Sequence, residues 1–243
     1  MSDKRQVRFF EHKTLSEVGR FPRKNGFALK LDSFEVEFPL YADGQTSSRV
    51  KRVNVDRGDA VAVLLHFSKG SQHQLVFVEQ FRMPTVLRGS DGLPDLERIT
   101  QDVWAGHMIE LVAGMPEEDE PWIETVRRET TEEMGFDVTP SSIRHVCSFY
   151  PSPGACSEQI HLYYAHLEGD NRMASDRIGE QGRGDEDEDT RRIVMTPADF
   201  LAQVEAQKIK DAKCLAAAEY IRRPSNWARF GLSLESFGLS LDE

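Results

Sequence analysis

Hydrophobic and polar positions alternate along FALKLDSFEVEFPLY (27–41), which places Phe34, Val36, Phe38 and Leu40 on one face of a strand. Asp43-Gly44 predicts a turn and RVKRVNV (49–55) a returning strand, so a small β unit opens the chain. AVAVLLHF (60–67) is continuously apolar, the pattern of a strand buried on both faces, and LVFVEQF (75–81) is its partner across a polar turn. Residues 83–104 predict a long connection with short helical pieces. MIELVAG (108–114) predicts another strand and PWIETVRRETTEEM (121–134) a helix, with Pro121 at its first position, Asp119 or Glu120 in the cap region and Gly135 just past its end. Strands follow at 143–150, 159–167 and 191–195, with a polar stretch at 169–189. Thr196-Pro197 opens a helix to Gln207, and Asp211 to Arg222 is a last amphipathic helix. This order predicts an α/β or α+β domain over 58–223, between an N-terminal antiparallel β segment (1–57) and a tail (224–243) with no assigned element.

Composition narrows the partners. The chain has 243 residues, 39% of them hydrophobic, enough for one substantial core plus an appendage or for two small domains. A net charge of −11 and a pI near 5.2 argue against nucleic acid or an anionic membrane as partner. Phosphates remain accessible to an acidic protein where local arginines or metal ions neutralise them. Cys147, Cys156 and Cys214 lack metal-ligand spacing, which suits a reducing compartment better than a disulfide framework. The opening MSDKRQVRFFEHK has no apolar h-region and no apolar run approaches a membrane span, so a soluble cytoplasmic protein is expected.

One helix breaks its own pattern. With Val126 at zero on a wheel of about 100° per residue, Trp122, Ile123, Thr130 and Met134 fall within roughly 80° and define the packed arc. Glu129 then lies near about −60° and Glu133 near about −20°, on or beside that same arc. Glu132 lies just beyond, one turn after Arg128. A solvated helix braced by Glu124–Arg128 and Arg128–Glu132 pairs would account for much of this charge, but not for Glu133. Buried, clustered carboxylates are unfavourable unless a cation compensates, and hard oxygen ligands suit Mg²⁺ or Mn²⁺.

The order Gly114-(five residues)-Glu120-(seven residues)-Arg128-Glu129-Thr130-x-Glu132-Glu133-x-Gly135-Phe136 resembles the box of the Nudix hydrolase superfamily. Thr130 stands where that pattern usually carries an aliphatic residue. Further stretches in order, RVKRVNVDRGDAVAVLL, VEQFR, ELVAGM, SPGACSE and GDEDED, extend the likeness over 27–222, to the ADP-ribose and nucleoside diphosphate sugar pyrophosphatase branch. The resemblance implies an α/β/α sandwich around a mixed sheet, and a Mg²⁺-dependent enzyme that cuts ADP-ribose to AMP and ribose 5-phosphate. GDP-mannose or UDP-glucose are alternative substrates, and a non-catalytic nucleotide-sugar sensor is the alternative class. It also implies a homodimer in which the N-terminal β segment reaches the partner's pocket.

Roles follow from the resemblance residue by residue. Glu129, Glu132 and Glu133, with the backbone carbonyl of Ala113, would hold the metal; Arg128 would orient the glutamates and Gly114 would keep the loop tight. The general base would be Glu186 or Glu188 of the GDEDED run, with Glu132 as the alternative within the box. Arg82 would grip a phosphate bidentately, with Arg52 and Arg57 as further contacts to diphosphate or ribose. Phe27 and Tyr41 are candidates for stacking on a base, although strand packing explains both. Glu110 would add a metal or water ligand, Gly154 marks the SPG turn, and Glu158 would meet the sugar. The long stretches 83–104 and 169–184 would border the pocket and leave the base and sugar open.

Overall fold

A computed structural model describes residues 8–18, 29–41, 45–69, 71–85, 105–168 and 190–233. By contact density the chain forms two units. The first comprises residues 1–60, 117–119 and 149–160. In it, β1 (Arg8–Val18), β2 (Leu29–Glu37) and β3 (Val50–Asp56) make an antiparallel sheet in that order. Asp32 of β2 is 3% exposed, and His12, Thr14 and Lys30 surround its carboxylate. Burial pushes that carboxyl up, but these three partners win and hold it below its ordinary value. Sequence patterning did not reveal β1, because RFFEHKTLSEV mixes charge and apolar residues without strict alternation.

The second unit is built on a mixed sheet of β4 (Ala60–Lys69), β5 (Gln72–Phe81), β6 (His107–Glu110), β7 (Val112–Gly114), β8 (Ile143–Phe149), β9 (Ile160–Glu168) and β10 (Arg191–Met195). The main order is β10-β5-β4-β9-β8. β4 and β5 pair from Leu65↔Val76 to Lys69↔Gln72. Farther from the turn, the stretch predicted as one strand at 108–114 enters between them and changes partner at Leu111. β6 pairs with β5 (Val78↔Glu110), and β7 pairs with β4 (Val61↔Gly114). One segment thus stitches both arms of a fork, and Leu111 at the crossing is fully buried.

Helix α1 (Trp122–Met134) covers one face of this sheet, where Val126 and Met134 join Val61, Val63, Leu65, Val76, Val78 and Val112 in one core. Helices α2 (Pro197–Glu205), α3 (Ala212–Arg222) and α4 (Pro224–Phe230) follow β10. Phe200 of α2 packs on Phe77 with ring centroids 4.8 Å apart and the rings tilted by 33°, and Phe77 points to the opposite face from Val76 and Val78. Helices on both faces of a mixed sheet give the α/β sandwich expected. The α4 helix lies in the tail where no element was assigned. Thr196 and Asp211 cap α2 and α3 with their side chains. Among the described residues no helix is long and apolar enough to cross a membrane.

In α1 the structure shifts the packed arc. Thr125 is fully buried while Ile123 is 40% exposed. On the wheel the arc therefore extends about 100° to the side of Thr125, so Glu129 and Glu133 fall near its middle rather than its edge. Pro121 is the cap residue, with extended backbone (φ −63°, ψ 142°), and no side chain caps the helix. Gly135 ends it in the left-handed region at φ 68°, which only glycine adopts without strain. Thr130 is fully buried and its hydroxyl donates to the carbonyl of Val126 at 2.7 Å. Since that bond only doubles an intrahelical one, Thr130→Val is expected to change stability by no more than about 1 kcal/mol in urea unfolding. A loss above about 2 kcal/mol would mean the hydroxyl matters to more than its own helix.

Candidate functional site

The loop from β7 to α1 and the middle of α1 converge on Arg128. Its Nε donates to Glu120 Oε1 at 3.0 Å; one Nη donates to Glu129 (2.9 Å) and Glu132 (3.0 Å); the other donates to Glu120 Oε2 (3.0 Å) and the Met115 carbonyl (2.9 Å). These five contacts use all five N–H donors of the guanidinium. Burial alone would lower the arginine's pKa, yet the bonds to Glu120 and the charges of Glu129, Glu120 and Glu132 raise it. The group is permanently charged. Thr125 adds a hydroxyl to Glu120 at 3.0 Å, so Glu120 is a clamp for Arg128 rather than a helix cap. Glu124 pairs with Arg127 at 2.9 Å instead of Arg128, because Arg128 faces the loop and Arg127 faces Asp137.

Glu129 lies against Gly114. A Cβ on Gly114 would sit 1.9 Å from the Glu129 carboxyl carbon, so only glycine leaves room for that carboxylate. Burial pushes the Glu129 pKa up, Arg128 opposes the rise, and the charges of Glu132 and Glu120 add to it. Ala113 lies in β7 opposite Ala62, at the strand end that leads into this loop. The donors gathered here are all oxygen, the set that suits a hard divalent cation. Together with the Gly114 cradle, they fit a hard divalent cation. Glu129 and Glu132 are turned onto Arg128, and among the described residues no group of three or more His, Cys, Asp or Glu side chains is already arranged around one point. Glu133 is half-buried on the same helix.

Arg82 and Glu110 meet each other. Arg82 donates bidentately to Glu110 at 3.0 and 2.9 Å, and Lys213 of α3 reaches the same carboxylate at 3.3 Å and Asp211 at 2.8 Å. Glu110 is 4% exposed. Burial would raise its pKa, but Arg82 and Lys213 bring it below the ordinary 4.5. Lys213 carries no sequence signal, since it lies 103 residues from its partner. Glu120 stood within the recognised motif, but its spacing alone did not reveal that it holds Arg128.

The other candidates lie in the first unit. Arg57 pairs with Glu158 at 3.4 Å, and Glu158 is 8% exposed. Arg52 donates to the Lys51 carbonyl at 3.0 Å and lies 5.9 Å from the Phe38 ring. Gly154 has open space where a side chain would begin, and Tyr41 is fully exposed. Phe27, Asp43-Gly44, Glu186, Glu188 and almost all of 83–104 and 169–184 lie outside the described residues.

The Glu110 cluster yields a stability test. Removing the carboxylate in Glu110→Gln leaves Arg82 and the largely buried Lys213 short of a partner, at a cost of about 2–4 kcal/mol, held down because Arg82 keeps water contact. With its folded pKa below the unfolded 4.5, Glu110 contributes stability that is complete above 4.5 and is lost as pH falls through the folded value. Urea unfolding across this acid range is therefore expected to show a flatter pH dependence for Glu110→Gln than for the parent.

Comparison with known proteins agrees with the strand–loop–helix geometry. A NUDIX domain model matches residues 57–217. The GDP-mannose pyrophosphatases of Shigella flexneri serotype 5b (strain 8401) and Escherichia coli O139:H28 (strain E24377A / ETEC) are each 30% identical to this chain over 174 residues, covering 72% of it and 78% of theirs. A match that runs from just after β3 into α3, with the box folded around Arg128 inside it, shows that the chain belongs to the NUDIX domain family and is a Nudix hydrolase.

Proposed function

We propose that the chain hydrolyses the diphosphate of a nucleoside diphosphate sugar in a divalent-metal-dependent reaction. The observation that carries this reading is the Arg128 cluster: three glutamates on one half-buried guanidinium, with Glu129 seated in the Gly114 cradle. Such an arrangement stores negative charge where a cation can take it up. Glu129, Glu132, Glu133 and the Ala113 carbonyl are the proposed ligands. When bound, Mg²⁺ or Mn²⁺ would neutralise the diphosphate and polarise its phosphorus–oxygen bonds. Arg128 keeps Glu129 and Glu132 in place, while Glu120 and Met115 keep Arg128 in place. Glu186 or Glu188 is proposed to take the proton from the attacking water, with Glu132 as the alternative base.

GDP-mannose is the first substrate of this reading, on the names carried by the two relatives. ADP-ribose is the second, favoured by the order of ELVAGM, SPGACSE and GDEDED in the sequence. Arg82, whose side chain is 37% exposed, and Arg52, Arg57, Gly154 and Glu158 are proposed substrate contacts. A homodimer belongs to the same reading. In its support, Phe10, Leu15 and Val53 of the three-stranded sheet are large, apolar and exposed, a surface that suits a partner. Analytical ultracentrifugation should then give twice the chain mass, and a monomer at assay concentration would remove the dimer from the proposal.

The activity is tested with GDP-mannose, ADP-ribose and UDP-glucose in Mg²⁺, following release of nucleoside monophosphate. At least one should be cleaved, and chelation should stop the release. Failure on all three would refute the proposed substrate class. Glu133→Gln is expected to lower kcat by about 10²-fold or more. Gly114→Ala drives Glu129 out of its cradle and should also lose most activity while thermal unfolding by circular dichroism stays cooperative. A Gly114→Ala enzyme as fast as the parent would refute the placement of Glu129 as a ligand.

A further inference from the structure

The face of the sheet turned away from α1 carries a second cluster of chemistry. β4 and β9 are neighbours, and their side chains meet as His66 Nδ1 with the Tyr164 hydroxyl (2.9 Å) and Ser68 Oγ with His166 Nε2 (2.8 Å). Both pairs are 98 residues apart, the constant offset of a parallel pairing. Val61, Val63, Leu65 and Phe67 with Tyr163, Ala165 and Leu167 pack in the core beneath α1, so the alternate residues His66, Ser68, Tyr164 and His166 point the other way. His66 is five strand steps beyond Val61, the partner of Gly114, which is about 17 Å along β4. The cluster is separated from the box by both face and distance.

Here the four side chains line a cavity of about 400 Å³ with Arg144 of β8, Arg229 of α4 and the hydroxyls of the turn at 139–142. His66 is 1% exposed and is fixed from several sides. Its Nε2 meets His73 Nδ1 at 3.1 Å, the two rings stack at 5.2 Å, and Phe230 lies 5.0 Å away. Gly231, at φ 62°, closes the arrangement, since a Cβ there would lie 2.3 Å from the His73 ring. Arg229 bonds the Tyr220 hydroxyl and lies over the Tyr164 ring at 5.1 Å. Among the described residues, no Asp or Glu lines the cavity and neither Arg144 nor Arg229 has a carboxylate partner. Nor are these imidazoles grouped as metal ligands. In a chain of net charge −11, a cavity with two arginines, two histidines and several hydroxyls is a built positive site.

We propose that this cavity binds a phosphate dianion, with Arg144 and Arg229 supplying the charge and Ser68, Ser141 and His166 the directional hydrogen bonds. Guanidinium and hydroxyl donors converge on the same space, which is what a tetrahedral oxyanion requires. The pKa of His66 is pushed down to about 3, first by burial and then by its neighbours His166, His73 and Arg229, so His66 stays neutral as a floor of the pocket. The volume exceeds that of a lone inorganic phosphate and falls within the range of small-molecule sites. Two sources share this chemistry, the inorganic ion and the head of a small phosphomonoester.

Calorimetry on the full chain, without divalent metal and at constant ionic strength, separates them. Inorganic phosphate, glucose 6-phosphate and glucose are titrated in turn, while NMR follows the His66 and His166 imidazole signals. Binding of a phosphate-bearing probe with movement of those signals, and none with glucose, is expected. Arg144 is exposed, so Arg144→Gln should fold normally and weaken binding by about tenfold, with Arg144→Lys recovering part of the loss. Equal affinities assign the inorganic ion; a much tighter glucose 6-phosphate assigns the phosphomonoester. No binding of either probe, or binding that neither Arg144→Gln nor Arg229→Gln alters, overturns the proposal.

Discussion

A single guanidinium with every donor engaged sets the geometry of the box. Carboxylates clustered on the packed side of a helix repel one another and lose hydration. Arg128 offsets both effects, because it is held in a fixed fork by Glu120 and the Met115 carbonyl and offers its remaining donors to Glu129 and Glu132. The loop between β7 and α1 must then pass close enough for Met115 to accept, and the residue before it can have no side chain. Gly114, Met115, Glu120 and the two glutamates are thus consequences of one charge placed where water is scarce. The same constraint explains why the helix tolerates acid residues at the centre of its buried arc.

How much of this was legible in the sequence depended on how far apart the partners lie. The box could be read because its parts recur within one helix and one loop, where spacing translates directly into position. The apolar strands β4, β5 and β9 and the capped helices α2 and α3 were visible for the same local reason. The bidentate Arg82–Glu110 pair, 28 residues apart, and Lys213, 103 residues from Glu110, were not. Individually each residue is an ordinary charge, and only the folded sheet brings them together. Wheel geometry also placed Ile123 in the core, where the structure puts Thr125, because periodicity gives the width of a packed arc but not which way it leans.

β4 shows how one strand can serve two purposes. Its odd-numbered residues, Val61 to Phe67, belong to the core under α1. Its even-numbered residues change character along the strand, from Ala62 and Leu64 to His66 and Ser68, and so carry the opposite face from apolar packing to a polar cavity. A run that reads as uniformly hydrophobic therefore hides a polar end, since a histidine within AVAVLLHF does not disturb the pattern of a buried strand.

The partner exchange at Leu111 has a mechanical consequence. Because β6 is held by one arm of the fork and β7 by the other, Glu110 and Ala113 keep their separation through backbone pairing on both sides. Mutations that accumulate in the connecting segments are insulated from that spacing. The connections on either side can therefore differ in length or composition without altering the separation of Glu110 from Ala113.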